Sequence, residues 1–149
     1  DVEEYGWSIV KAQGLREAPY YTNLVAVPLE ADIPLKERLK LEEEFHPLIT
    51  GGHLIPIRLK EPERDPEKLF SMTEQICRTS KIGCFTYTRS LTYCANCQET
   101  LGGFQQKCPT CKSSLSLVPY GRSSAEYAPL KWWNEAKALN VSRRVSYAL

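Results

Sequence analysis

Cys94-Ala95-Asn96-Cys97 is followed, after ten residues, by Cys108-Pro109-Thr110-Cys111. Each C-x-x-C pair can bring two thiolates to about 2.3 Å from one Zn²⁺, and two such pairs complete a closed tetrahedral site. In the second pair, Pro109 presets the backbone of a knuckle-like turn. Between the pairs, Leu101-Gly102-Gly103-Phe104 reads as the turn of a short hairpin. The pattern is that of a zinc ribbon with Cys94, Cys97, Cys108 and Cys111 as ligands. Four protein sulfurs leave the ion no open position, so one structural Zn²⁺ is expected and no catalytic residue is assigned. Two disulfides, or a redox C-x-x-C, are the competing readings of the same spacing.

The chain has 149 residues, 42% of them hydrophobic, enough for a buried core. No run approaches the roughly 18 apolar residues of a membrane span, and no signal-peptide pattern opens the sequence. Six cysteines, four of them in zinc spacing, suit a reducing cytosol better than a secreted disulfide scaffold. Cys77 and Cys84 are expected to be buried small apolar residues rather than reactive thiols. The net charge of +1 hides an asymmetry: residues 1–76 carry nine Lys/Arg against fifteen Asp/Glu, and residues 77–149 ten against three. Such a split can mark a nucleic-acid or phosphate-facing surface, two halves that face each other, or a face toward a larger body.

Along the chain, Ser8-Ile9-Val10 and Leu24 to Leu29 read as strands, with Pro28 placing the second at an end or edge. A charged helix is expected from Pro34 to about Phe45, with Leu35, Leu39, Leu41 and Phe45 as its apolar face and Glu42-Glu43-Glu44 as solvated surface. Gly51-Gly52 breaks the chain before a strand from His53 to Leu59, and Lys60 to Lys68 reads as a surface loop. Asp65-Pro66 is an N-cap with Pro at the first helical position. The helix it opens places Leu69, Met72, Thr73, Ile76 and Cys77 on one side and is expected to end at Gly83. Cys84 to Tyr93 alternates as a strand, and Pro129 to Arg144 reads as a loop with a helix through Glu135–Asn140. His46 and His53 lack a Cys or carboxylate at ligand spacing and read as structural or exposed.

Several of these landmarks, in this order, resemble the anaerobic (class III) ribonucleotide reductases. They are Tyr20-Tyr21-Thr22-Asn23, the Pro-containing strand, the acidic helix, Gly51-Gly52, Phe85-Thr86-Tyr87-Thr88, the two cysteine pairs, and Pro129-Leu130 with Trp133-Asn134 and Lys137. The resemblance spans nearly the whole chain. It implies an α+β chain in which residues 1–83 correspond to the last strands and helices of a β/α barrel. Residues 84–149 would form a zinc ribbon with a glycyl radical loop and a C-terminal helix. In that family an iron–sulfur activase generates the glycyl radical, which passes to a cysteine thiyl that attacks the ribose of a nucleotide.

Two departures limit what carries over. A full reductase is several times longer, and the segments for the thiyl cysteine and the allosteric site have no counterpart here. Counting back from Pro129 and Trp133-Asn134, the radical glycine falls on Ala125, and Glu126 replaces the aromatic residue that usually follows. A side chain at that carbon crowds a planar radical, and Gly121 is a substitute only if the loop shifts. The chain alone is therefore not expected to reduce nucleotides.

The expected function is the C-terminal zinc-binding part, or a small subunit, of a reductase-like protein. It would be cytoplasmic and would partner a larger barrel chain or further copies of itself. The alternative is a non-catalytic zinc-ribbon module that binds nucleic acid or a ribonucleoprotein. In that reading Arg78, Lys81, Arg89, Lys107, Lys112, Arg122, Lys131, Lys137, Arg143 and Arg144 meet phosphates, and Phe85, Tyr87, Phe104, Trp132 and Trp133 stack on bases. The competing and favoured reading is that Trp132 and Trp133 pack the ribbon against the α/β part and the cations are solvated surface.

Overall fold

The structure, a computed structural model, describes residues 26–60, 65–122 and 126–148. The expected strand at Ser8–Val10, the Tyr20–Asn23 landmark and Ala125 all lie outside them. The described residues form two compact units: 26–60 and 65–88 with 144–148, and 89–122 with 126–143.

In the first unit a helix α1 (Leu35–Glu42) and a 3₁₀ turn (His46–Leu48) precede strand β1 (Ile55–Arg58), helix α2 (Pro66–Thr79) and strand β2 (Phe85–Thr88). β1 and β2 pair in parallel, Ile55 opposite Phe85 and Arg58 opposite Thr88. A parallel pair needs a crossover, which the segment carrying α2 supplies. Ile55 and Leu59 donate their N–H groups to Cys84 and Thr88 of the β2 side, so the nitrogen of Pro56 faces the other edge and costs the ladder no bond. Tyr147 bridges that other edge, exchanging backbone bonds with Arg58 and Lys60 at 2.8 Å. The core is Ile55, Ile57, Leu59, Ile76 and Ile82, with Leu35, Leu39, Leu69, Met72 and Phe85 packed against it.

α2 starts as its sequence dictates: the Asp65 carboxylate accepts from the N–H groups of Glu67 and Lys68, both at 3.1 Å. It stops earlier than Gly83. Ser80 turns both its N–H and its hydroxyl to the Ile76 carbonyl and ends the helix after Thr79. Cys77 and Cys84 are both exposed, contrary to expectation. Cys84 precedes β2, whose first three residues are themselves only half-buried.

α1 keeps Leu35 and Leu39 of its expected apolar face against the core but not the rest. Leu41 and Phe45 are exposed, whereas Arg38 and Glu42 are each 1% exposed. The reason lies in residues 26–29, which are bends and turns rather than the strand expected through Leu29. Pro28 cannot donate to a ladder. The Arg38 guanidinium instead donates to the carbonyls of Val27 and Pro28, and the Glu42 carboxylate accepts from Val27 N–H at 3.0 Å. Glu42 is thus not part of a solvated face; it supplies backbone bonds that no strand partner supplies.

The second unit is a four-stranded antiparallel sheet of β3 (Leu91–Cys94), β4 (Glu99–Gly102), β5 (Leu117–Arg122) and β6 (Tyr127–Pro129), in the order β4-β3-β5-β6. The single strand expected over residues 84–93 is therefore two, β2 and β3, in different sheets. A 3₁₀ turn (Leu130–Trp132) leads to helix α3 (Glu135–Arg143). Asn134 accepts from Lys137 N–H at 2.9 Å and starts α3 as an N-cap would. Among the described residues no helix is long and apolar enough to cross a membrane.

Candidate metal centre

Cys94 is the last residue of β3, and its pairing with Glu99 closes a hairpin whose turn is Ala95–Gln98. The hairpin turn is thus the first cysteine knuckle itself. Leu101-Gly102-Gly103-Phe104, expected as that turn, instead finishes β4: Gly103, at φ +74°, donates to Ser90 and leads the chain away. Buried Thr92 then fixes the exit, donating to Gly103 O at 2.7 Å and accepting from Gln105 N–H at 3.0 Å.

The second knuckle closes on itself. Cys108 N–H donates to Ser113, and Lys112 N–H to Cys108. In both knuckles the residue just after the second cysteine adopts the left-handed conformation, Gln98 at φ 59° and Lys112 at φ 60°. That turn aims two consecutive sulfurs inward from each C-x-x-C pair.

The result is a compact sulfur cluster. All four Sγ atoms lie within 4.8 Å of one another. Cys94 is 3.5 Å from Cys111 and Cys97 is 3.6 Å from Cys108. A tetrahedron with metal–sulfur bonds of about 2.3 Å has edges of about 3.8 Å, so the residues fit one tetrahedral thiophilic ion. All six cysteines are free thiols, and the disulfide reading finds no bond here. Cys94 and Cys108 are fully buried, while Cys97 and Cys111 reach the surface.

The two surface thiols differ electrically. Desolvation, reinforced by its three neighbouring sulfurs, pushes the Cys97 thiol up to about 12. Hydrogen bonds from Asn96 and from the backbone at Ser113 draw Cys111 down to about 6. Beside them stands Glu99, a residue not singled out in the sequence. Its Oε2 accepts from the Thr110 hydroxyl in the opposite knuckle and lies 4.0 Å from Cys97 Sγ.

The other predicted residues fall elsewhere. Gly121 lies inside β5, paired with Ala128 and buried, and a Cβ there would meet Leu130 Cδ2 at 2.7 Å and the Trp133 ring at 2.8 Å. Trp133, with Lys137 stacked over it at 5.0 Å, covers this glycine, whereas Trp132 is 71% exposed. The two histidines are structural. His53 Nε2 lies 3.0 Å from Glu42 Oε2, and His46 Nδ1 accepts from Gly83 N–H at 3.2 Å. Burial lowers the His46 pKa, the nearby His53 lowers it further, and Glu42 opposes both. No signal in the sequence marked Glu42 as their carboxylate partner, since it arrives from a different element.

A family model described as anaerobic ribonucleoside-triphosphate reductase matches residues 1–147. Among solved structures, an anaerobic ribonucleotide reductase superposes with a TM-score of 0.75 at 21% identity, covering 95% of this chain and 23% of that one. The anaerobic ribonucleotide reductase of Thermotoga maritima with MES in its active site gives 0.68 at 21% identity, covering 85% and 22%. The chain thus spans less than a quarter of the length of either structure. No curated protein matches it.

Proposed function

The chain belongs to the anaerobic ribonucleoside-triphosphate reductase family, and from that membership we propose that it is the C-terminal zinc-binding part, or a small subunit, of such a reductase. The observation that carries this reading is the four-sulfur cluster, set within a family match that runs from residue 1 to 147. The ion it holds is one Zn²⁺, chosen because a closed tetrahedral set of four thiolates is the donor set that zinc takes for structural work. When bound, the ion ties the two knuckles together and thereby fixes β3, β4 and the segment that leads into β5.

The chain does not reduce nucleotides on its own. Ala125 occupies the position of the radical glycine, and a methyl on that carbon hinders a flat radical centre. The chemistry of deoxyribonucleotide synthesis belongs to a larger barrel-bearing chain, which this one completes. Native purification at low salt, with mass spectrometry of whatever is retained and metal analysis of the purified chain, tests both parts. Co-purification of a barrel-bearing reductase chain and about one zinc per chain is the expected result. A metal-free, partnerless chain sinks it.

A second reading draws on the exposed rings of Trp132 and of Phe104, the latter 48% exposed, each near exposed lysines in sequence, Lys131 and Lys107. Such a surface suits single-stranded nucleic acid, and its affinity would fall steeply with salt. A flat salt response removes this reading.

A further inference from the structure

The sulfur cluster has one edge that differs from the rest, and the difference is a carboxylate. Cys94 and Cys108 are sealed from solvent, so a hydrated ion cannot meet them first. Cys97 and Cys111 are the half-buried sulfurs through which an ion enters. Glu99 stands at that opening, exposed at the start of β4, with Oε2 4.0 Å from Cys97 Sγ. Its position is held rather than accidental, because the same oxygen accepts from Thr110 in the opposite knuckle. The carboxylate therefore spans the mouth of the site, touching one residue of each knuckle.

A closed four-thiolate site gains nothing in stability from a fifth anion at this distance. Four thiolates around a divalent ion already carry a net negative charge, and a carboxylate beside them adds repulsion. Before the ion arrives the balance is reversed. A hydrated divalent ion is attracted to a carboxylate at the mouth, and an oxygen ligand displaces bound water readily. A group that is unhelpful in the loaded site and helpful at its mouth is suited to loading it.

We propose that Glu99 is an exchangeable oxygen ligand for a divalent transition-metal ion, receiving it at the solvent-facing edge and yielding it to Cys97. Glu99 would hold an incoming ion through its carboxylate in place of a bound water, and Cys94, Cys108 and Cys111 would supply three sulfurs. Cys97 would take the carboxylate's place, every thiol still protonated giving its proton to solvent as its metal–sulfur bond forms. The ion keeps its oxidation state throughout. When Cys97 is absent, the same carboxylate can occupy the fourth position, giving three sulfurs and one oxygen. This inference rests on the reading of the four cysteines as a metal site.

The test is rapid mixing of the full metal-free chain with Co²⁺, whose visible bands report the number of bound thiolates. Glu99→Gln is expected to slow the appearance of the four-thiolate spectrum by about tenfold or more while leaving the final spectrum unchanged. Thr110→Val keeps the carboxylate and loosens its hold, and should slow loading clearly less than Glu99→Gln does. In a Cys97→Ala background, adding Glu99→Gln should weaken Co²⁺ binding by about tenfold. Equal loading rates for the parent and Glu99→Gln overturn the proposal, as does equal affinity of the two Cys97→Ala chains. Slowing by Thr110→Val as large as that by Glu99→Gln also overturns it, since the clasp alone would then explain the effect. If the parent chain shows no thiolate bands at all, the metal reading itself fails.

Discussion

Glu42 Oε2 lies 3.0 Å from His53 Nε2, with both side chains buried, while Glu42 Oε1 accepts from Val27 N–H and faces Arg38 at 3.6 Å. One carboxylate thus joins α1, the segment at residue 27 and the approach to β1. Arg38 completes the arrangement by donating to Val27 O, Pro28 O and the hydroxyl of Tyr147. Every member uses the low-dielectric interior to hold a piece of irregular backbone in place.

Removing one member leaves buried partners without compensation. Glu42→Ala strands the Arg38 charge and the Val27 N–H, and is expected to destabilise the chain by about 3–5 kcal/mol. Glu42→Gln keeps the shape and most of the hydrogen bonding, and should cost about 1–3 kcal/mol. Urea unfolding of the parent and both variants reads the difference directly. A loss below 1 kcal/mol in Glu42→Ala would contradict the network.

Acid should weaken the fold through His46. Its folded pKa is depressed below the ordinary imidazole value of 6.5, chiefly by burial. The unfolded chain therefore takes up the proton first as pH falls, and proton uptake favours the state that binds more. Stability is unaffected well above pH 6.5, drops as the pH falls through 6.5, and levels off once the folded imidazole also protonates. Protonation also removes the acceptor that Gly83 N–H uses. Asparagine at this position offers a non-titrating acceptor, so His46→Asn should flatten the decline between pH 7 and 5. An unchanged profile in thermal melts would rule out His46 as its source.

Metal affinity should rise with pH, because only thiolates bind. Near pH 7 Cys111, at about 6, is already ionised, whereas Cys97, at about 12, still holds its proton. Loading therefore releases the Cys97 proton above pH 6 and must also displace the Cys111 proton below it. The expected outcome is a pH dependence of affinity that steepens below about pH 6. Competition titrations with a chelator across pH 5 to 8 measure it. Chelation should also disorder β3, β4 and both knuckles, and Cys108→Ser should do the same, which amide exchange can map.

The cysteine cluster was legible because its signal is spacing, and two C-x-x-C pairs need only a turn each to converge. The Asp65 cap and β1 were legible for a similar reason, since capping and β-branched runs are local signals. Glu42 was not. A run of three glutamates on a charged helix reads as surface, and only the approach of Val27, Arg38 and His53 from other segments turns one of them inward. The hairpin turn was misplaced because two glycines outweighed the knuckle, although Gln98 tolerates the left-handed turn without being glycine. Glu99 carried no motif at all; its partner Thr110 comes from the opposite knuckle.

That left-handed Gln98 marks a place to gain stability. A side chain there costs roughly 1–2 kcal/mol relative to glycine, partly offset by the unfolded-chain entropy that glycine adds, about 0.4–1 kcal/mol. Gln98→Gly should therefore stabilise the metal-bound chain by about 0.5–1 kcal/mol. Gln98 is exposed, so no packing is lost. A lower melting temperature in the variant would show that the side chain does something else.

Gly121 bears on chemistry as well as packing. It lies within β5 beneath Leu130 and Trp133, where a methyl would stand 2.7 Å from Leu130 Cδ2 and 2.8 Å from Trp133 Cη2. Neither contact is tolerable without movement, so Gly121→Ala should cost about 1–3 kcal/mol by overpacking. The glycine is explained by the ring that covers it, and a radical role is not needed to account for it. Exposure to a reductase activase and S-adenosylmethionine should accordingly leave no glycyl doublet in electron paramagnetic resonance. A doublet that persists in the parent chain and vanishes in Gly121→Ala would show that β5 opens in solution far enough to place Cα of Gly121 before the activase. In that case the packing of Trp133 would be a gate, and the chain would carry its own radical. Absence of the doublet, together with the predicted loss of stability, leaves Gly121 as the seat of an aromatic side chain.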